Sequence, residues 1–238
     1  MSWWANSIEE HFPPSTVFKR DQEITDSELF RFTQIILTEG IPFACAKFPM
    51  AYEFARGRAA EILGIHSKQL SMIGSARIGY SLAEEKFGRP FDLNQSDIDL
   101  FAVSEELFSL IREEHDGFLN AWRRGVVRPL HDIQRSFWEA NLQVDPSNIR
   151  RGFLDASHIP TLDQFPITQK CGDAAYKFHV NLQSVTGKKV GRRASIRVYK
   201  DWDAAVRQIT FTLKGNLERL GFVVGKEAAA QKHTKNSK

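Results

Sequence analysis

The sequence predicts an α+β domain in which a small mixed sheet is surrounded by several helices. Three observations predict it. Short β-like runs stand at residues 70–74, 98–103 and 194–200. Longer stretches between and after them repeat apolar residues at helical spacing, as at Leu107, Leu110, Ile111, Phe118 and Trp122. No internal repeat and no linker-like run divides the 238 residues, so a single domain over residues 1–228 is expected, followed by a flexible basic tail at 229–238.

The elements follow in order. Residues 1–24 show no clean period and are interrupted by Pro13-Pro14. A helical N-terminal part is expected over about 25–64. Thr25-Asp26-Ser27-Glu28 has the form of a capping box, Phe32, Ile35 and Ile36 supply the apolar face behind it, and Gly40 stops the helix. A second helix begins after Pro49, carries Phe54, Ile62 and Leu63, and ends at Gly64. The core segment 70–104 holds two strands. Residues 105–185 are expected to be mainly helical, although four prolines break 125–169 into loops and short helices. A helix at 174–182 follows. In 194–200, Ile196 and Val198 alternate against Ser195, Arg197 and Tyr199, as in a half-buried strand. From Asp201 the helical period returns through Trp202, Val206, Ile209, Leu213, Leu217 and Leu220 to Gly221. The aromatic residues Trp122, Phe137, Trp138, Phe153, Phe165 and Tyr176 are expected in the core.

Composition narrows the class. A hydrophobic content of 42% is ordinary for a globular protein, and a formal charge of +3 is too small to imply nucleic-acid binding by itself. Two cysteines, Cys45 and Cys171, exclude a disulfide framework and multi-cysteine zinc patterns, and their apolar surroundings predict buried free thiols. The start has no basic region followed by an apolar stretch, and no apolar run approaches the roughly 20 residues that span a bilayer. A cytoplasmic protein without membrane association is expected.

The chemistry concentrates in residues 71–104. Asp97 and Asp99 are two apart on a strand, so both face one side while Ile98 and Leu100 face the core. Two carboxylates this close repel unless a cation neutralises them. Mg²⁺ (or Mn²⁺) suits such a pair, because it takes carboxylate and phosphate oxygens together and keeps water at its remaining positions. Upstream, Gly74-Ser75 stands where a strand meets the next helix. Glycine lets backbone approach a triphosphate, and the serine hydroxyl and helical N–H groups bind phosphate oxygens.

With Ile73-Gly74-Ser75 followed by Ser96-Asp97-Ile98-Asp99-Leu100-Phe101, the sequence resembles the DNA polymerase β-like nucleotidyltransferase superfamily. Gly79 and Ser81 resemble the Gly-Thr/Ser that often follows the first motif in these enzymes. The resemblance covers about 35 residues and implies a sheet of the nucleotidyltransferase type. It further implies that Gly74 and Ser75 hold the triphosphate of ATP or another NTP, and that Asp97 and Asp99 are catalytic metal ligands. The spacer from Ser75 to Asp97 is longer than in minimal members, which predicts an extended helix or an inserted turn near Gly88-Arg89-Pro90. Active members carry a third acid on a third strand. Here that strand holds Ser195, Arg197 and Tyr199, and Asp201 at its end is the candidate third catalytic residue.

Arg77, on the first turn after the loop, and Ser81 are candidate nucleotide-binding residues. Lys188, Lys189, Arg192, Arg193, Arg197 and Lys200 form an acid-free stretch that is either a phosphate or nucleic-acid contact or a solvated basic loop. The run DLNQSDIDLFAV fails as a calcium loop, since Asp97 stands where Gly is required and Val103 where Glu is required. Arg124 and His131 have a ribonuclease-like spacing, but Pro129 separates them.

The function implied is Mg²⁺-dependent transfer of an NMP from an NTP to a hydroxyl acceptor on a protein, an RNA end or a nucleotide. Stand-alone bacterial members of the superfamily act in antiphage defence or as antitoxins, which makes a protein partner an expectation at the family level. A catalytically silent nucleotide sensor or docking module is the alternative. A metal-dependent glycosyltransferase is a lesser one, because it would have no use for Gly74-Ser75.

Overall fold

The computed structural model describes residues 18–225, and the expected basic tail lies outside the described residues. Among the described residues, seven α-helices surround a small mixed sheet, an α+β arrangement. The elements are β1 (Ile24–Thr25), α1 (Asp26–Thr38), α2 (Pro49–Leu63), β2 (Leu70–Ile73), α3 (Ser75–Ile78), β3 (Ile98–Val103), α4 (Glu105–Arg123), α5 (Asp132–Arg150), β4 (Phe153–Asp155), α6 (Pro166–Thr186), β5 (Ala194–Tyr199), α7 (Trp202–Arg219) and β6 (Val224–Gly225). Four strands form the central sheet in the order β2-β3-β5-β4. β3 runs parallel to β5, with Ile98 opposite Ala194 and Val103 opposite Tyr199, while β2 and β4 run antiparallel to their neighbours. β1 and β6 make a separate parallel pair that joins the two ends of the described chain.

The two-residue period of β3 sorts its side chains between two cores. Ile98, Leu100 and Ala102 pack with Leu70, Met72, Leu154, Ile196 and Val198 under α2, α4 and α6. Phe101 and Val103, on the aspartate side, pack with Leu37, Phe153, Tyr199 and Ala204 to Val206 of α7. β3 is therefore buried on both faces beyond Asp99 and polar only at its start. A third cluster locks α1 to α7 through Leu29, Phe32, Leu213 and Leu217.

Local signals explain most element ends. Thr25 and Glu28 exchange the two hydrogen bonds of a capping box at α1, at 3.2 and 3.0 Å. Pro49 opens α2 and Gly64, left-handed at φ 71°, closes it.

Two expectations fail in the proline-rich stretch. Residues 132–150 form one 19-residue helix that contains Pro146, where short helices and loops were expected. His131 caps α5 through Nδ1, which accepts from the Gln134 N–H at 3.1 Å, so it has a structural role at the helix start. Pro146 costs the helix the bond to the carbonyl four residues back without ending it, and its neighbour Asp145 anchors the helix. The Asp145 carboxylate is buried and joins His115 of α4 at 3.1 Å to His158 at 2.7 Å. α6 begins at Pro166, eight residues before the helix expected at 174–182. Its first N–H groups are capped from another helix: Glu114 accepts from Ile167 N at 2.6 Å and Thr168 N at 2.8 Å.

Both cysteines are buried free thiols. Trp138, Phe153 and Phe165 are core residues, whereas Phe137 and Tyr176 are exposed, as is Phe54 on the face expected to be buried. Among the described residues no helix is long and apolar enough to cross a membrane.

Candidate functional site

A cavity of about 450 Å³ opens where β2 ends and β3 and β5 begin. The antiparallel register places Ile73 opposite Asp99, so the chain leaves β2 beside that aspartate. Gly74 then turns with φ 70° and ψ −154°, a conformation open to glycine but not to residues with a Cβ. A Cβ there would lie 3.4 Å from Oδ2 of Asp99, so the carboxylate packs directly over the turn. Gly74, Ser75, Ser81, Asp97 and Asp99 all line this one cavity. Its remaining walls include Ile36 and Leu37 of α1, Ile209 and Leu213 of α7, and Arg192, Arg197 and Tyr199.

The long spacer between the two motifs is an inserted turn. Tyr80 bridges Pro90, and Ser81 exchanges backbone hydrogen bonds with Arg89 and Gly88, at 2.9 Å each. The Ser81 hydroxyl accepts from Ala83 N at 3.2 Å at the cavity edge. α3 is only four residues long, so the helical N–H contribution expected after Gly74 shrinks to a single turn.

Two site expectations change on the structure. Arg77 is buried, and its guanidinium donates to the carbonyls of Ile36 at 2.6 Å and Gly40 at 2.8 Å. Although it lies along the cavity wall, it ties the end of α1 to α3. Asp201 lies beyond Tyr199, at the far end of β5 from the aspartates: Asp99 stands opposite Ser195, six residues earlier, roughly 20 Å away at about 3.3 Å per residue. Its carboxylate caps α7 by accepting from Ala204 N at 2.7 Å. Asp201 therefore does not complete the aspartate pair.

Electrostatics divides the two aspartates. Asp97 accepts both arms of the Arg192 guanidinium, at 3.0 and 3.1 Å, and Nε of Arg193 at 3.2 Å. The Arg192 hydrogen bonds, aided by Arg193 and opposed by partial burial, hold its carboxyl below the ordinary range. Asp99 opens onto the cavity with protein around it, and that desolvation raises its carboxyl above the ordinary range despite a hydrogen bond from Ser195 Oγ at 3.2 Å. On β5 the aspartate side continues with Arg197 opposite Phe101 in the ladder. Arg197 stacks over Phe153 with its Nη2 3.6 Å from Asp155, and its guanidinium lies beside the fully buried Tyr199 hydroxyl.

Among the described residues, no group of three or more His, Cys, Asp or Glu side chains is placed to hold a metal ion. Two carboxylates alone do not make a cage for a resident cation. They do fit a hard cation that brings phosphate oxygens and water with it, since Mg²⁺ is commonly held by one or two carboxylates plus substrate phosphates.

Sequence reasoning found the two motif halves, but not that Ile36, Ile209 and Leu213 wall the same cavity. It flagged Arg192 and Arg197 only as parts of a basic stretch. Comparison with family models, with curated proteins and with solved structures gave no match.

Proposed function

We propose that this cleft binds a nucleoside triphosphate together with Mg²⁺ or Mn²⁺ and transfers its NMP to a hydroxyl acceptor. The observation that carries the reading is convergence. Gly74-Ser75 and Asp97/Asp99, separated by a long inserted turn, meet at one cavity with Arg192 and Arg197 on its third side. The order of β2 antiparallel to β3, and β3 parallel to β5, also supports a sheet of the nucleotidyltransferase type.

In this reading Gly74 lets the chain pass close to the phosphates, and the Ser75 hydroxyl donates to a phosphate oxygen. The Arg197 guanidinium adds positive charge from β5. Asp97 and Asp99 hold the cation, which supplies neutralisation of the triphosphate charge when bound. The acceptor oxygen bonds to the α-phosphorus as the bond to pyrophosphate breaks, and the hydroxyl proton leaves to water. The apolar stretch of the wall, Ile36, Ile209 and Leu213, gives the nucleoside a dry surface.

A second reading, nucleotide binding without turnover, is favoured by one observation: β5 presents Arg197, and no described acid completes a three-carboxylate set.

The test is incubation with each α-³²P-labelled NTP and Mg²⁺ or Mn²⁺, alone and in cell lysate, beside an Asp97→Ala/Asp99→Ala variant. Label transfer that disappears in the variant supports the transferase reading. Metal-dependent NTP binding with no transfer under any condition supports the binding module.

A further inference from the structure

Arg192 and Arg193 sit on the turn between α6 and β5, and that turn is fixed by its backbone. Gly191 N donates to Leu93 O, Arg192 N to Ser96 O and Ile98 N to Arg193 O, each at 2.8 Å. The main chain is thus stitched to the strand that carries the aspartates. The side chains are not fixed in this way: Arg192 and Arg193 remain 61% and 73% exposed while they grip Asp97. Three N–H groups occupy the two oxygens that a cation would need. A cation approaching Asp97 would also meet two guanidinium charges.

The planar fork that matches a carboxylate matches a phosphate equally well. Exposed ion pairs contribute little net stability, so exchanging one anion for another is energetically cheap. A triphosphate entering beside Gly74 brings more negative charge than Asp97 holds, and it comes within range of side chains that can swing without moving the backbone.

We propose that Arg192 and Arg193 form a clasp that holds Asp97 in the empty cleft and transfers to the triphosphate oxygens when these arrive, leaving Asp97 to the cation. The proposal rests on the nucleotide reading of the cleft and adds two phosphate-binding residues and an order to it. Before a triphosphate arrives, Asp97 is closed to metal.

The test measures each half of the exchange separately on the full chain. Mn²⁺ alone is titrated by electron paramagnetic resonance, and inorganic tripolyphosphate alone, in metal-free buffer, by calorimetry. Arg192→Met/Arg193→Met should bind Mn²⁺ about tenfold more tightly and tripolyphosphate about tenfold more weakly than the parent. Arg192→Lys/Arg193→Lys keeps the charge without the fork, and should fall between. The arginines are exposed, so the unfolding midpoint should hold steady in both variants. Unchanged tripolyphosphate affinity, or Mn²⁺ affinity that does not rise, in the methionine variant overturns the clasp alone. A parent protein that binds neither tripolyphosphate nor any NTP overturns the nucleotide reading and the clasp with it.

Discussion

A Cβ on Gly191 would stand 2.7 Å from Cγ1 of Ile98, with Cδ1 of the same side chain at 3.1 Å. Ile98 is fully buried between the two aspartates, so it has no room to give way. Gly191 also has φ 77°, a left-handed conformation. Gly191→Ala is therefore expected to lower stability by about 2–4 kcal/mol, from backbone strain plus overpacking. Urea unfolding would measure it, and an unchanged midpoint would show that the turn does not pack against β3 as described.

Arg77 gives a second prediction. Its guanidinium satisfies the Ile36 and Gly40 carbonyls at the end of α1. Arg77→Met should cost about 2 kcal/mol by removing two charge-assisted hydrogen bonds to the partly buried end of α1. Tripolyphosphate affinity of the folded fraction should change little. A large loss of affinity at unchanged stability would restore Arg77 as a phosphate ligand.

Asp201 is tested in the same way. Replacing the α7 cap by alanine should cost about 1 kcal/mol. Label transfer or NTP binding per folded molecule should be unaffected, because the carboxylate is engaged by Ala204 N at the far end of β5. Abolition of transfer would make Asp201 a catalytic residue after all.

The buried Asp145 sets an acid limit on stability. Burial pushes its carboxyl up, but the hydrogen bonds from His115 and His158 outweigh this and draw it down to about 2. A carboxyl whose pKa is depressed on folding stabilises the native state above its unfolded pKa, near 3.9. The benefit, about 2 kcal/mol, is lost as pH falls from about 4 to about 2. Unfolding free energies at pH 5 and pH 2.5 should therefore differ less in Asp145→Asn than in the parent. Equal slopes would mean that the histidines do not hold the carboxylate.

Features that depend on near neighbours in the chain are legible from the order of residues alone. The α1 capping box, the Pro49 and Gly64 limits of α2, the alternation in β3 and β5 and the shared face of Asp97 and Asp99 all follow from spacing. Each is set by bonds or periods that span only a few residues. Other features rest on contacts between residues far apart in the chain. The start of α6 depends on Glu114, more than fifty residues upstream, and α5 persists through Pro146 because Asp145 ties it to His115 and His158. Arg77 and Asp201 have residue types and positions that suit a nucleotide site. Only the carbonyls and the helix start that they meet in space reveal a structural role. The cavity depends in the same way on pairings that local sequence does not encode. β5 lies beside β3 through a crossover of about ninety residues, and this brings Arg192 to Asp97 and Ser195 to Asp99.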